Sequence, residues 1–213
     1  MIEIDINRLS QIERVNVIGT SGSGKSTFGR QLAHLFGLPF IEMDSAYWGP
    51  NWTEPTDEEF IPKVKAVTEG SRWVLDGNYS RTTPIKWRQV QLVVWLDMSF
   101  VRTVFRVSVR CLKRSLTKAE IWPGTGNRET LRKTFLSKES IILWAITSYR
   151  RNRQRYSEIM ESQEYRHIWF VRLRSPSDVN SFLQTARMAT IQSDPQRAAD
   201  RAISNRKSTA AAQ

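Results

Sequence analysis

Eight residues near the N-terminus, Gly19-Thr20-Ser21-Gly22-Ser23-Gly24-Lys25-Ser26, constrain this chain more than any others. They satisfy the pattern G-x-x-x-x-G-K-[ST], in which each residue type has a physical task. The glycines let the backbone curl until successive N–H groups point inward at a phosphate chain. Lys25 places a compact cation on the β- and γ-phosphates, and the Ser26 hydroxyl is a ligand for Mg²⁺. The β-branched run Val15-Asn16-Val17-Ile18 precedes the loop, and a helically spaced stretch from Thr27 to Phe36 follows it. Strand, glycine loop and helix together aim a helix N-terminus at an anion. The predicted nucleotide-binding set is therefore Gly19, Ser21, Gly22, Ser23, Gly24, Lys25, Ser26 and Thr27.

The rest of the chain alternates in the same way. Strands are predicted at Glu13–Ile18, Pro39–Met43, Arg72–Leu75, Val90–Leu96 and His167–Leu173. Helices are predicted from Lys25 to Phe36, capped by Gly37, and after a Thr56/Glu59 capping box. Further helices are predicted over Phe100–Leu116, over much of the basic stretch from Arg128 to Met160, and over Ser177–Met188. Trp122-Pro123-Gly124-Thr125-Gly126-Asn127 reads as a loop. Alternating strands and helices predict an α/β fold with three layers, a central parallel five-stranded sheet and ligands at the strands' C-terminal edge. Residues 1–188 form the expected domain, and 189–213, rich in Ala, Ser, Arg and Gln, an expected disordered tail.

The chain has 213 residues and a single cysteine, Cys111, so an intramolecular disulfide and a cysteine-based metal site are not expected. Without a long apolar run or a signal-peptide pattern, the expected setting is cytoplasmic, with no membrane partner. The net charge of +11 is uneven, because residues 102–174 carry 17 Lys/Arg against 6 Asp/Glu. Such a patch attracts phosphorylated small molecules or nucleic acid.

Three predicted strands run out at aspartates: Asp44, Asp76 and Asp97. Carboxylates at this edge hold a hydrated Mg²⁺ or accept a proton from an attacking hydroxyl. Alternatively, each is a loop-forming or helix-capping aspartate. The aromatic residues after Asp44 suggest a pocket for a hydroxylated or ring-bearing acceptor.

With these residues assembled, the chain resembles the adenylate-kinase-like phosphate-loop kinases. The resemblance rests on the glycine loop, on Trp73-Val74-Leu75-Asp76-Gly77-Asn78-Tyr79-Ser80-Arg81, and on Trp95-Leu96-Asp97 with Arg106 and Arg110. Met43-Asp44-Ser45-Ala46-Tyr47-Trp48 and Val171-Arg172-Leu173-Arg174-Ser175 look closer still to a bacterial group labelled topology-modulation (FlaR-like) proteins. The resemblance spans about residues 12–185. It implies that Asp76 with Ser26 serves the Mg²⁺ site, that Arg81 grips an acceptor phosphate, and that Arg106 and Arg110 meet the base and phosphates of ATP. It also implies an arginine-rich helical lid over about residues 112–135, with Arg128 and Arg132 as candidates. Where adenylate kinases have Phe-Pro, this chain has Asn78-Tyr79-Ser80, which sets it apart from AMP kinases.

The expected activity is Mg²⁺-dependent phosphoryl transfer from ATP to a small-molecule acceptor, carried by Lys25, Asp44, Asp76, Arg81 and Arg110. Two alternatives remain open on sequence alone. One is an ATPase without an acceptor, and the other is a nucleotide-binding regulator whose basic segment contacts DNA.

Overall fold

The computed structural model describes residues 4–118, 120–130 and 140–193. Five strands carry the fold: β1 (Arg14–Gly19), β2 (Phe40–Glu42), β3 (Trp73–Asp76), β4 (Leu92–Leu96) and β5 (Trp169–Leu173). They form one sheet in the order β2-β3-β1-β4-β5, and every pairing is parallel. β3 and β4 are buried along their whole length, as strands covered by helices on both faces must be. The expected α/β architecture is what these residues form.

Alternation along the strands divides the core in two. On one face Val15, Val17, Val74, Leu92, Val94 and Val171 meet three helices. These are α1 (Ile6–Ser10), α2 (Lys25–Phe36) and, at the far end of the chain, Pro176–Ser193. On the other face Ile18, Leu75, Val93 and Trp95 meet Met43 and Tyr47 of α3 (Met43–Tyr47) and Phe60 and Val64 of α4 (Asp57–Thr68). Trp87, just after α5 (Thr83–Lys86), and Tyr156 of a long helix complete that layer. The long helix is α7 (Ile141–Glu161), which packs through Ala145 on Val107 and Cys111 of α6 (Phe100–Thr117). The C-terminal helix is α8.

Several boundaries differ from the sequence reading. Strand β2 is shorter than expected and does not reach Asp44. Met43 is driven into the core, and the chain turns there into α3, so Asp44 lies in the first turn of a short helix. Helix α8 runs to Ser193, beyond the Met188 expected, because Ala186 and Ala189 are buried and Thr190 donates to the Leu35 carbonyl. Helix α1, capped by the Asp5 carboxylate, was not anticipated. Residues 131–139, which include Arg132 and the end of the expected lid, lie outside the described residues, as do 194–213 of the expected tail.

Candidate functional site

The glycine loop closes between the end of β1 and the start of α2. Gly22 has φ +87° and Gly24 φ +101°, the latter serving as the N-cap of α2. A Cβ on Gly22 would stand 2.5 Å from the Thr103 carbonyl oxygen of α6, so the glycine permits that close approach. Lys25 and Ser26 then open the helix, with the positive end of its dipole toward the loop.

Asp76, the last residue of β3, is 5 % exposed and faces this helix start. The Ser26 hydroxyl donates to Asp76 Oδ2 at 2.5 Å, while Oδ1 is buried with no partner among the described residues. Burial raises the Asp76 carboxyl above the ordinary carboxylate range, against the opposing pull of Lys25 and the Ser26 hydrogen bond. A hydroxyl and a carboxylate with one unengaged buried oxygen are hard oxygen donors of the kind a hydrated Mg²⁺ takes. The residues present therefore fit that ion.

The segment after Asp76 is locked to the loop by groups the motif did not reveal. Asn78 accepts from the Gly19 N–H at 3.0 Å and donates to the Gly19 carbonyl at 2.9 Å. Lys86, fully buried on α5, donates to the carbonyls of Gly77 at 3.1 Å and Asn78 at 2.6 Å. Burial chiefly, helped by the Arg155 charge and opposed by Asp76, pulls the Lys86 pKa down to about 7. Asn16 joins in, accepting from the Trp87 indole at 2.7 Å and donating to the Leu75 and Gly77 carbonyls. The departure Asn78-Tyr79-Ser80 thus has a structural purpose at its first residue.

Arginines of α6 gather above the loop. The Arg106 guanidinium lies against Gly24, where a Cβ would meet it at 3.3 Å. Arg110 donates to the Ser21 hydroxyl at 3.1 Å. One turn further, Arg114 meets Glu129 at 3.3 Å. Cys111 is buried among them, and burial and Glu129 push its thiol up to about 12, so it is an inert packing group. Arg128 is exposed.

On the other side of Asp76 lies a cluster of aromatic and acidic residues. Tyr79 donates to Asp44 Oδ1 at 2.6 Å, and burial followed by that carboxylate raises its hydroxyl pKa. Tyr47 donates to Glu54 at 3.0 Å. Arg81 reaches Asp57 at 2.7 Å and lies over the rings of Tyr47 and Phe60, each 5.2 Å from its centre. The structure thus places Arg81 in this cluster, but in an ion pair. Asp97, by contrast, is held by Arg172 at 2.6 Å and Arg153 at 3.3 Å. It joins β4, β5 and α7 and belongs to the scaffold.

The segment from Glu120 to Thr130 bridges the two sides. Asn127, completely buried, accepts from the Trp52 N–H at 2.7 Å and donates to the Gly49 carbonyl at 2.9 Å. Trp122 meets Trp52 edge-on, Trp52 meets Trp48, and Trp48 meets Tyr47. Two residues later, Glu129 reaches back to Arg114 of α6.

No protein-family model matches the sequence. A shikimate kinase of Halorhodospira halophila is 54 % identical over 33 residues, which are 16 % of this chain and 19 % of that enzyme. The chain therefore matches about a fifth of that curated relative's length. Shikimate kinase from Acinetobacter baumannii, solved with shikimate, superposes with a TM-score of 0.49 and 16 % identity over 89 % of this chain and 99 % of that one. A gluconokinase from Sinorhizobium meliloti 1021 gives 0.46 and 15 %, covering 84 % and 92 %. Shikimate kinase from Bacteroides thetaiotaomicron gives 0.47 and 14 %, covering 81 % and 95 %.

Proposed function

We propose that the protein is a kinase that transfers the γ-phosphoryl group of ATP to a small-molecule acceptor. The observation that carries this reading is the arrangement around Asp76. A phosphate-binding glycine loop with Lys25 and Ser26 lies on one side of that carboxylate. A separate cluster built on Asp44, Tyr79 and Arg81 lies on the other. A plain nucleotide binder needs only the first.

In this reading the loop N–H groups and Lys25 bind the triphosphate, and Arg106 and Arg110 neutralise charge as it moves toward the leaving oxygens. Ser26 and Asp76 would hold Mg²⁺, which when bound supplies further charge neutralisation on the phosphates. Asn78 and Lys86 fix the Asp76–Tyr79 segment against the loop. Asp44, oriented by Tyr79, accepts the proton of an acceptor hydroxyl. The Glu120–Thr130 segment shields the reacting groups from water. The resemblance to topology-modulation proteins names a group and leaves this chemistry unchanged.

The test is an acceptor screen with Mg²⁺ and γ-labelled ATP, run beside Lys25→Ala. A labelled organic product that the variant fails to make supports the kinase. Inorganic phosphate as the sole labelled product with every acceptor pool would sink it.

A further inference from the structure

The site has two sides of opposite charge. Lys25, Arg106 and Arg110 gather on the nucleotide side. Across Asp76 the pattern reverses. From Gln31 to Pro62 the chain holds no lysine or arginine, yet it holds Glu42, Asp44, Glu54, Asp57, Glu58 and Glu59. Among the described residues, the cations that reach this side are already engaged. Arg30 is paired with Glu42 at 2.7 Å, and Arg81 with Asp57 at 2.7 Å. The Lys86 ammonium lies beneath the turn, spent on two backbone carbonyls. Asp44 and Glu54 have no cationic partner among the described residues and hold tyrosine hydroxyls instead.

An acceptor phosphate or carboxylate is bound by charge-assisted donors, usually arginines in a bidentate fork. Here it would meet carboxylates whose nearest arginine is already neutralised, and like charges brought together select against a partner. A hydroxyl or ammonium group, by contrast, donates directly to Asp44. Beside that carboxylate stands the half-buried ring of Tyr79, and half-buried Trp48 belongs to the same aromatic cluster, surfaces suited to the flat face of a sugar or base.

We propose, on the kinase reading above, that the acceptor is an uncharged or cationic hydroxyl compound with a ring face, such as a nucleoside, sugar or amino sugar, and that anionic acceptors are rejected. The acceptor oxygen forms the new bond to the γ-phosphorus, and its proton passes to Asp44 and on to solvent. The bond from that phosphorus to the β-phosphate oxygen breaks, and ADP leaves with the electron pair.

The test compares ligands that share a skeleton and differ in charge. Adenosine is set against adenosine monophosphate, and glucose and glucosamine against gluconate. Each is titrated by tryptophan emission with the nucleotide side saturated by Mg²⁺ and a non-hydrolysable ATP analogue. Neutral or cationic members are expected to bind at least about tenfold more tightly than their anionic partners. Asp57→Asn, which frees Arg81, should narrow that gap. Equal or tighter binding of the anionic members overturns the proposal, and so does the absence of binding by either class. Label transfer in wild type and Lys25→Ala reports the kinase reading separately. Transfer to an anionic acceptor would keep the kinase and refute this choice of acceptor.

Discussion

At the scale of single residues, Gly77 shows how much one absent atom permits. Its φ is +152°, and a Cβ there would stand 2.7 Å from the Cβ of Met43. Asp76 can end β3 facing Ser26 because the next residue leaves room for the buried start of α3. Gly77→Ala should therefore lower stability by about 1–3 kcal/mol, and thermal unfolding measures it. An unchanged melting temperature would mean that Met43 moves aside freely. The Asp-Gly pair was legible in the sequence because its chemistry is local. Lys86 was not, since nothing in Thr83-Pro84-Ile85-Lys86 signals an ammonium buried against the Gly77 and Asn78 carbonyls. Its pKa makes a prediction with a definite sign. A lysine lowered to about 7 in the folded protein binds fewer protons there than in the unfolded chain. Stability then rises with pH from about 7 to about 10, by up to about 1.4 kcal/mol per pH unit. Lys86→Met removes that slope, so the advantage of wild type over the variant should widen across this range in chemical denaturation. A constant difference would mean that the folded protein keeps Lys86 charged.

Among elements, those with a complete local signal were read to within a few residues. α2 has a glycine at each end and matches its expected limits, and the capping box of α4 forms as Thr56 and Glu59 suggest. α3 was hidden because its sequence continues the apolar run of β2, and burial of Met43 and Tyr47 against distant residues decides its conformation. The Trp122–Asn127 loop was visible as a loop, but its role was not. Its partners lie more than 70 residues earlier, where Asn51 and Trp52 adopt positive φ angles to receive it. Docking of this segment offsets that backbone strain. Asn127→Ala would leave the Trp52 N–H and the Gly49 carbonyl unpaired, at a cost of about 1–3 kcal/mol. The Trp122–Trp52 contact should loosen with it, and tryptophan emission should shift toward that of exposed indole. If the melting temperature falls while emission stays fixed, the aromatic contacts hold the segment without the amide.

For the whole molecule, the net charge of +11 does not show how unevenly that charge is placed. The sequence showed the basic excess of residues 102–174, but not that part of it serves internal structure. Arg153 and Arg172 hold Asp97, and Arg114 holds Glu129. Arg106 and Arg110 are turned toward the glycine loop, and this leads to a prediction about the entire fold. A ligand that binds only the folded state stabilises it by about 2.7 kcal/mol at one hundred times its dissociation constant. For a chain of this length that raises the melting temperature by about 5–10 °C. If the phosphates supply most of the affinity, Mg²⁺ with ATP should protect more than ADP, and ADP more than AMP, at equal concentration. Tripolyphosphate should recover most of the ATP effect. Lys25→Ala should abolish the difference between ATP and AMP, and added salt should weaken it as screening shortens the reach of the exposed arginines. Equal protection by all three nucleotides would place the affinity in the base and leave the arginines of α6 with no measurable role on the phosphates.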